Sequence, residues 1–132
     1  MTESPPNRPG KILVMDDDSM LLSTARMMLQ RLGFDVLLAG DGDEAANLYA
    51  EHYQTDYPVD VAILDMRVEG GAGALESAQA ILATDPSACL VIASGSTNHD
   101  TMLNHADHGF AASITKPFVM ADLGLVLGEL LD

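Results

Sequence analysis

The chain has 132 residues, 48% of them apolar and 20% charged, which fits one soluble globular domain with its own core and excludes a disordered or collagen-like chain. Six basic residues face 20 acidic ones, a net charge of −14; this excludes a nucleic-acid binder, which needs a basic face to displace phosphate counterions, and argues against anionic membranes. No apolar run approaches the roughly 18 residues of a membrane span, and the single cysteine, Cys89, excludes a disulfide framework within the chain.

The lead-in MTESPPNRPG, residues 1–10, has neither the basic start nor the apolar core of a secretory signal and is expected to be a flexible polar tail on a cytoplasmic protein. Ile12–Met15 is an apolar run with the length of a buried parallel strand, and it leads directly into Asp16, Asp17 and Asp18. Leu21, Ala25, Met28 and Leu32 follow at helical spacing, with Asp18 placed to cap that helix and Gly33 to stop it. Val36–Ala39 reads as a second strand, and Asp41 and Glu44 have the spacing of a capping box ahead of Ala45, Leu48 and Tyr49. Val59–Leu64 predicts a third strand ending on Asp65. Leu75, Ala78 and Leu82 mark a helix closed by Asp85-Pro86, and Cys89–Ala93 a fourth strand reaching Ser94 and Gly95. Met102, Leu103 and Ala106 predict a further helix before Gly109, and Ala111–Ile114 a fifth strand reaching Lys116. Leu123, Val126, Leu127, Leu130 and Leu131 form the last helical stripe. The eight methionines are expected mostly on core-facing stripes, and Cys89 as a buried structural thiol.

Five short apolar runs alternating with five helices predict an α/β fold: a five-stranded parallel sheet covered by helices on both faces, in one domain over residues 11–132. In such a sheet a ligand binds at the carboxyl ends of the strands, where the strand order switches. Those ends here carry Asp16 and Asp17, Asp65, Ser94, and Lys116, one of only two lysines in the chain. Each has an ordinary explanation alone, as cap, turn former or solvated charge; their convergence on one edge is harder to explain that way.

Three carboxylates gathered within a few ångströms cannot all stay ionised without a compensating cation. Hard oxygen ligands suit Mg2+, with Mn2+ as a substitute, better than zinc. Such an ion would polarise phosphoryl oxygens and let one carboxylate act as a nucleophile toward a phosphodonor. Lys116, the Ser94 hydroxyl and the backbone N–H groups of Met66 and Gly95 would hold the other phosphoryl oxygens.

The ordered set ILVMDDD, LD at the end of the third strand, IASG and ITKPF resembles the receiver domain of two-component response regulators, including receivers of hybrid histidine kinases, from about Lys11 to Leu131. The resemblance implies a flavodoxin-like, doubly wound three-layer sandwich with strand order 2-1-3-4-5. It implies Asp65 as phosphoacceptor, Asp16, Asp17 and Asp65 as metal-binding acids with the backbone carbonyl of Arg67, and Ser94 and Lys116 as phosphoryl-binding groups. Pro117 would follow Lys116 in a cis linkage. A histidine kinase or histidine phosphotransfer protein would donate the phosphoryl group, and output would pass to a downstream protein or the domain's own kinase through the face of the last two helices. No catalytic turnover is implied beyond self-phosphorylation and slow self-dephosphorylation.

The chain departs from that family in places. Ser113 stands three residues before the lysine, where an aromatic switch residue is common. Glu69 replaces a common proline, Gly70 to Gly73 are four small residues expected to make the loop mobile, and Arg67 is a long cation expected to tune phosphoryl loss. The missing ring adds weight to a relay intermediate or phosphate sink. An unphosphorylated interaction module is the reading of another class, against which the retained acids count. A phosphohydrolase would need an acid where Arg67 stands. His99, His105 and His108 read as surface residues and not as a metal site.

Overall fold

A computed structural model of the chain describes residues 9–66, 68, 71, 73–95 and 109–131. Five strands, β1 (Lys11–Met15), β2 (Asp35–Ala39), β3 (Val61–Asp65), β4 (Leu90–Ser94) and β5 (Ala112–Thr115), form one parallel sheet in the order β2-β1-β3-β4-β5. Four helices are described: α1 (Ser19–Arg31), α2 (Gly42–Tyr53), α3 (Ala74–Thr84) and α4 (Met120–Leu131). The helix expected around Met102, Leu103 and Ala106 lies outside the described residues.

The three inner strands, β1, β3 and β4, are buried along their whole length, as continuous apolar runs covered on both faces must be. Alternate residues feed two cores. Leu13, Met15, Leu64 and Ile92 pack with Ala45, Tyr49, Ala78 and Ile81 of α2 and α3. On the other face Ile12, Val14, Ile63 and Val91 pack with Ala25 and Leu29 of α1 and Leu123 and Leu127 of α4. The third strand begins at Val61 and not at Val59, although Val59 is itself buried.

Local signals place the helix ends. Asp18 is the N-cap of α1, its side chain accepting from the N–H groups of Met20 and Leu21. Gly33, at φ 98°, ends that helix in a Schellman arrangement: Phe34 N–H donates to the Leu29 carbonyl and Gly33 N–H to that of Gln30. At α2, Asp41 accepts from Glu44 N–H, while the Glu44 carboxylate reaches one residue further back than a capping box requires, to Gly40 N–H.

Several side chains depart from the expected packing. Met20, Met27 and Met120 are exposed, so these three methionines are surface residues and not core filling; each lies on the outward side of a helix whose branched residues already fill the interior. Leu75 and Leu131 are likewise exposed, at helix ends, while Ile81 of α3 and Leu127 of α4 take the buried positions. Lys11 is only 7% exposed. Its ammonium donates to the Tyr57 carbonyl, meets His52 Nδ1 at 3.1 Å and lies 3.8 Å from the Tyr57 ring centroid. One of the two lysines is thereby structural, at the amino end of β1, which a parallel sheet places opposite the carboxyl-end cluster.

Tyr49 couples α2 to the end of α3, its hydroxyl donating to Asp85 Oδ2 at 2.6 Å. Burial and then the adjacent Asp85 push the Tyr49 hydroxyl well above its ordinary pKa. Tyr49→Phe is expected to cost about 1.5–3 kcal/mol in urea unfolding, the range for a bond to a charged acceptor. Because the folded pKa is raised, that contribution is complete below the ordinary tyrosine pKa and is lost as pH rises above it. The stability gap between wild type and variant should therefore narrow in alkaline buffer.

Candidate functional site

The strand order changes direction between β1 and β3: the chain goes outward from β1 to β2, then crosses back to β3 and continues to β4 and β5. The carboxyl ends of β1 and β3 therefore flank a crevice with no connection across it. Asp16 directly follows β1 and Asp65 is the last residue of β3, so the parallel register brings them to the same level of the sheet. Each of Asp16, Asp17 and Asp65 offers a carboxylate oxygen within 4.8 Å of the others. Asp16 and Asp65 are only 2% and 4% exposed, while Asp17 faces solvent.

Lys116 joins the cluster from the end of β5, where its N–H donates to the Ser94 carbonyl. Its ammonium lies 2.8 Å from Asp65 Oδ1 and 3.0 Å from Asp16 Oδ2, bridging two buried acids. Partial burial disfavours the ammonium, but the hydrogen bonds and charges of Asp65 and Asp16 outweigh it and leave the Lys116 pKa above its ordinary value. The peptide bond from Lys116 to Pro117 is cis, as the resemblance implies. Ser94 ends β4, nearly buried, one residue beyond the Ala93 that pairs with Asp65. Gly95 follows β4 and is exposed.

One expected donor is otherwise engaged. Met66 N–H donates to the Ala93 carbonyl at 2.8 Å, the bond that closes the last β3–β4 pair, Asp65 with Ala93. Met66, one residue past the end of β3, thus spends its N–H on the neighbouring strand and not on the crevice. Arg67, with its carbonyl and side chain, and Glu69 lie outside the described residues, as do His99, His105 and His108. Ser113 sits half-buried in β5, paired with Ile92, and lines a cleft of about 200 Å3 with Thr115, Asp122, Leu125 and Val126.

Two features were not anticipated. Asp18, besides capping α1, donates its own N–H to Asp16 Oδ1 at 2.9 Å. A groove of about 250 Å3 runs beside the acids, lined by Asp18, Met20, Leu21, Thr24, Pro117 and Phe118. The exposed Met20 is the one signal that could have marked the groove, since an apolar side chain in the first turn beside a charged cluster has no core to enter.

The donor set fits a small divalent cation. Three carboxylates against one ammonium leave two negative charges among these groups. An octahedral Mg2+ holds its ligand oxygens about 3–4 Å apart, and the three carboxylate oxygens, all within 4.8 Å of one another, would have to close only slightly around it.

Residues 12–127 match the family described as the response regulator receiver domain. Among curated proteins, the transcriptional regulatory protein PdtaR of Mycobacterium tuberculosis is 28% identical over 87% of this chain and 53% of its own length. The curated relatives are longer proteins, of which this chain spans 22% to 53%. Among solved structures, the receiver domain of NtrX from Brucella abortus is 26% identical with a TM-score of 0.79, covering 91% of this chain and 97% of that one. The receiver domain of the sensor histidine kinase PA1611 from Pseudomonas aeruginosa, solved with a magnesium ion in its active-site cleft, has the same fold at 21% identity and a TM-score of 0.78, with 93% and 98% covered.

Proposed function

The chain belongs to the response regulator receiver family, and from that premise we propose that it is a Mg2+-dependent phosphoacceptor whose Asp65 takes a phosphoryl group from a histidine kinase or histidine phosphotransfer protein in the cytoplasm. The observation that carries this reading is the pairing of Lys116 with both Asp16 and Asp65 at the topological switch of the sheet. A module kept for binding alone has no use for mutually repelling buried carboxylates.

Asp16, Asp17 and Asp65 would hold the ion, with Arg67 supplying its carbonyl. Held there, the cation would supply positive charge against the phosphoryl oxygens. An Asp65 oxygen attacks phosphorus in line; the new P–O bond forms as the donor's P–N bond breaks, and the imidazole nitrogen keeps the electron pair. Lys116 moves from its bridge between carboxylates to a phosphoryl oxygen, and Ser94 and the Gly95 N–H take up another. The domain, over residues 11–132, then passes the signal by contact with another protein or with its own kinase, and turnover is limited to slow loss of the phosphoryl group.

Ser113 brings no ring to β5 that could move between the cleft and solvent, which supports a relay or phosphate-sink role. Back-transfer to a phosphotransfer histidine tests that reading.

The test of the acceptor itself is chemical. After incubation with a phosphorylated phosphotransfer protein, borohydride reduction of the acyl phosphate should label one peptide, at Asp65. Label at any other aspartate, or none from a competent donor, would refute the assignment.

A further inference from the structure

We propose that Asp18 is a positioning residue of the cation site, which it serves through its backbone and not its charge; this rests on the phosphoacceptor reading above. Asp16 is almost wholly buried, and both its oxygens are engaged: Oδ2 by the Lys116 ammonium at 3.0 Å and Oδ1 by the Asp18 N–H at 2.9 Å. The second bond depends on the direction of one peptide N–H. Relative to the first turn of α1, that direction is fixed by the extended backbone of Asp18, φ −95° and ψ 108°, which is the conformation of an N-cap.

The same residue holds itself there. Asp18 Oδ1 accepts from Met20 N–H at 3.0 Å and Leu21 N–H at 3.2 Å, so the side chain anchors the first turn of α1 while the N–H reaches back to Asp16. The two groups of one residue thus connect the start of α1 to the orientation of a buried acid. Without the cap the first turn frays, the Asp18 backbone leaves its extended setting, and Asp16 is oriented by Lys116 alone. Lys116 is the partner that must let go when a phosphoryl group arrives, so the Asp18 N–H is the contact that persists.

A second role for the carboxylate, as a direct or long-range attractor of the cation, makes a different prediction. Asn and Ser cap helices about as well as Asp but carry no charge. Mg2+ alone is titrated calorimetrically into the unphosphorylated full chain, at a temperature where circular dichroism shows every variant folded. Asp18→Asn and Asp18→Ser are expected to bind within about twofold of wild type, and Asp18→Ala about fivefold more weakly, matching the loss of a cap. The residue 18 amide proton, read by NMR without metal, should lie at low field in wild type, Asn and Ser. It should move upfield in Asp18→Ala and in Asp16→Ala.

An Asp18→Ala protein that melts earlier but binds Mg2+ like wild type would show a merely structural cap and overturn the proposal. Equal weakening in Asn, Ser and Ala would overturn it in favour of charge. Wild type that binds no Mg2+ would refute the phosphoacceptor reading instead, and the metal-free amide signal would still decide whether Asp18 holds Asp16.

Discussion

Replacing Lys116 with methionine is expected to lower the stability of the metal-free protein by about 2–3 kcal/mol, below the 3–5 kcal/mol typical of breaking a fully buried pair because this lysine is partly exposed. The substitution keeps much of the side-chain volume and removes the charge that bridges Asp16 and Asp65. Two nearly buried carboxylates would then face each other across a few ångströms. Chemical denaturation with and without Mg2+ checks this: the ion should restore more stability to the variant than it adds to wild type, since it supplies positive charge in place of the lost ammonium. Phosphorylation should slow sharply in parallel, because the group intended for a phosphoryl oxygen is gone. An unchanged unfolding midpoint would mean that the bridge contributes nothing to the metal-free state.

The opposite sign is expected at Asp17. This acid is exposed and belongs to the carboxylate cluster. Asp17→Asn should weaken Mg2+ binding by at least about tenfold, since a lost carboxylate ligand should cost no less than a lost outer-shell partner. The same substitution removes repulsion from its neighbours and should leave the metal-free protein as stable as wild type or up to about 1 kcal/mol more stable. Affinity lost without stability lost separates a functional acid from a structural one, and calorimetry with thermal unfolding reads both. If Asp17→Asn lowered stability and left Mg2+ binding intact, the cation would have to be placed elsewhere.

The strand ends were legible in the sequence because each inner strand is a continuous apolar run that stops abruptly at a polar residue. Asp16, Asp65 and Ser94 could be set at one edge on that pattern alone, given parallel connections. The caps at Asp18 and Asp41 and the stop at Gly33 were legible for a similar reason, since their chemistry is local. What could not be read is long-range or directional. Lys116 reaches residues 100 and 51 positions away, and only the closed sheet shows that one ammonium touches both acids. The Met66 N–H was expected to face the crevice, but its bond to the Ala93 carbonyl follows from the β3–β4 register, which apolar pattern does not encode. Periodicity also overstated the core: Leu75 and Leu131 fall on helical stripes but lie at helix ends and are exposed. The burial of Lys11 against Tyr57 and His52 had no local signal, since an isolated lysine at a strand start reads as solvated.

The most direct test of the phosphoacceptor account is intact mass after incubation with acetyl phosphate, with and without Mg2+, on wild type and on Asp65→Asn. The account predicts a single phosphoryl adduct on wild type only when Mg2+ is present, with no adduct on Asp65→Asn under either condition. No adduct on folded wild-type protein, or an equal adduct on Asp65→Asn, would contradict it.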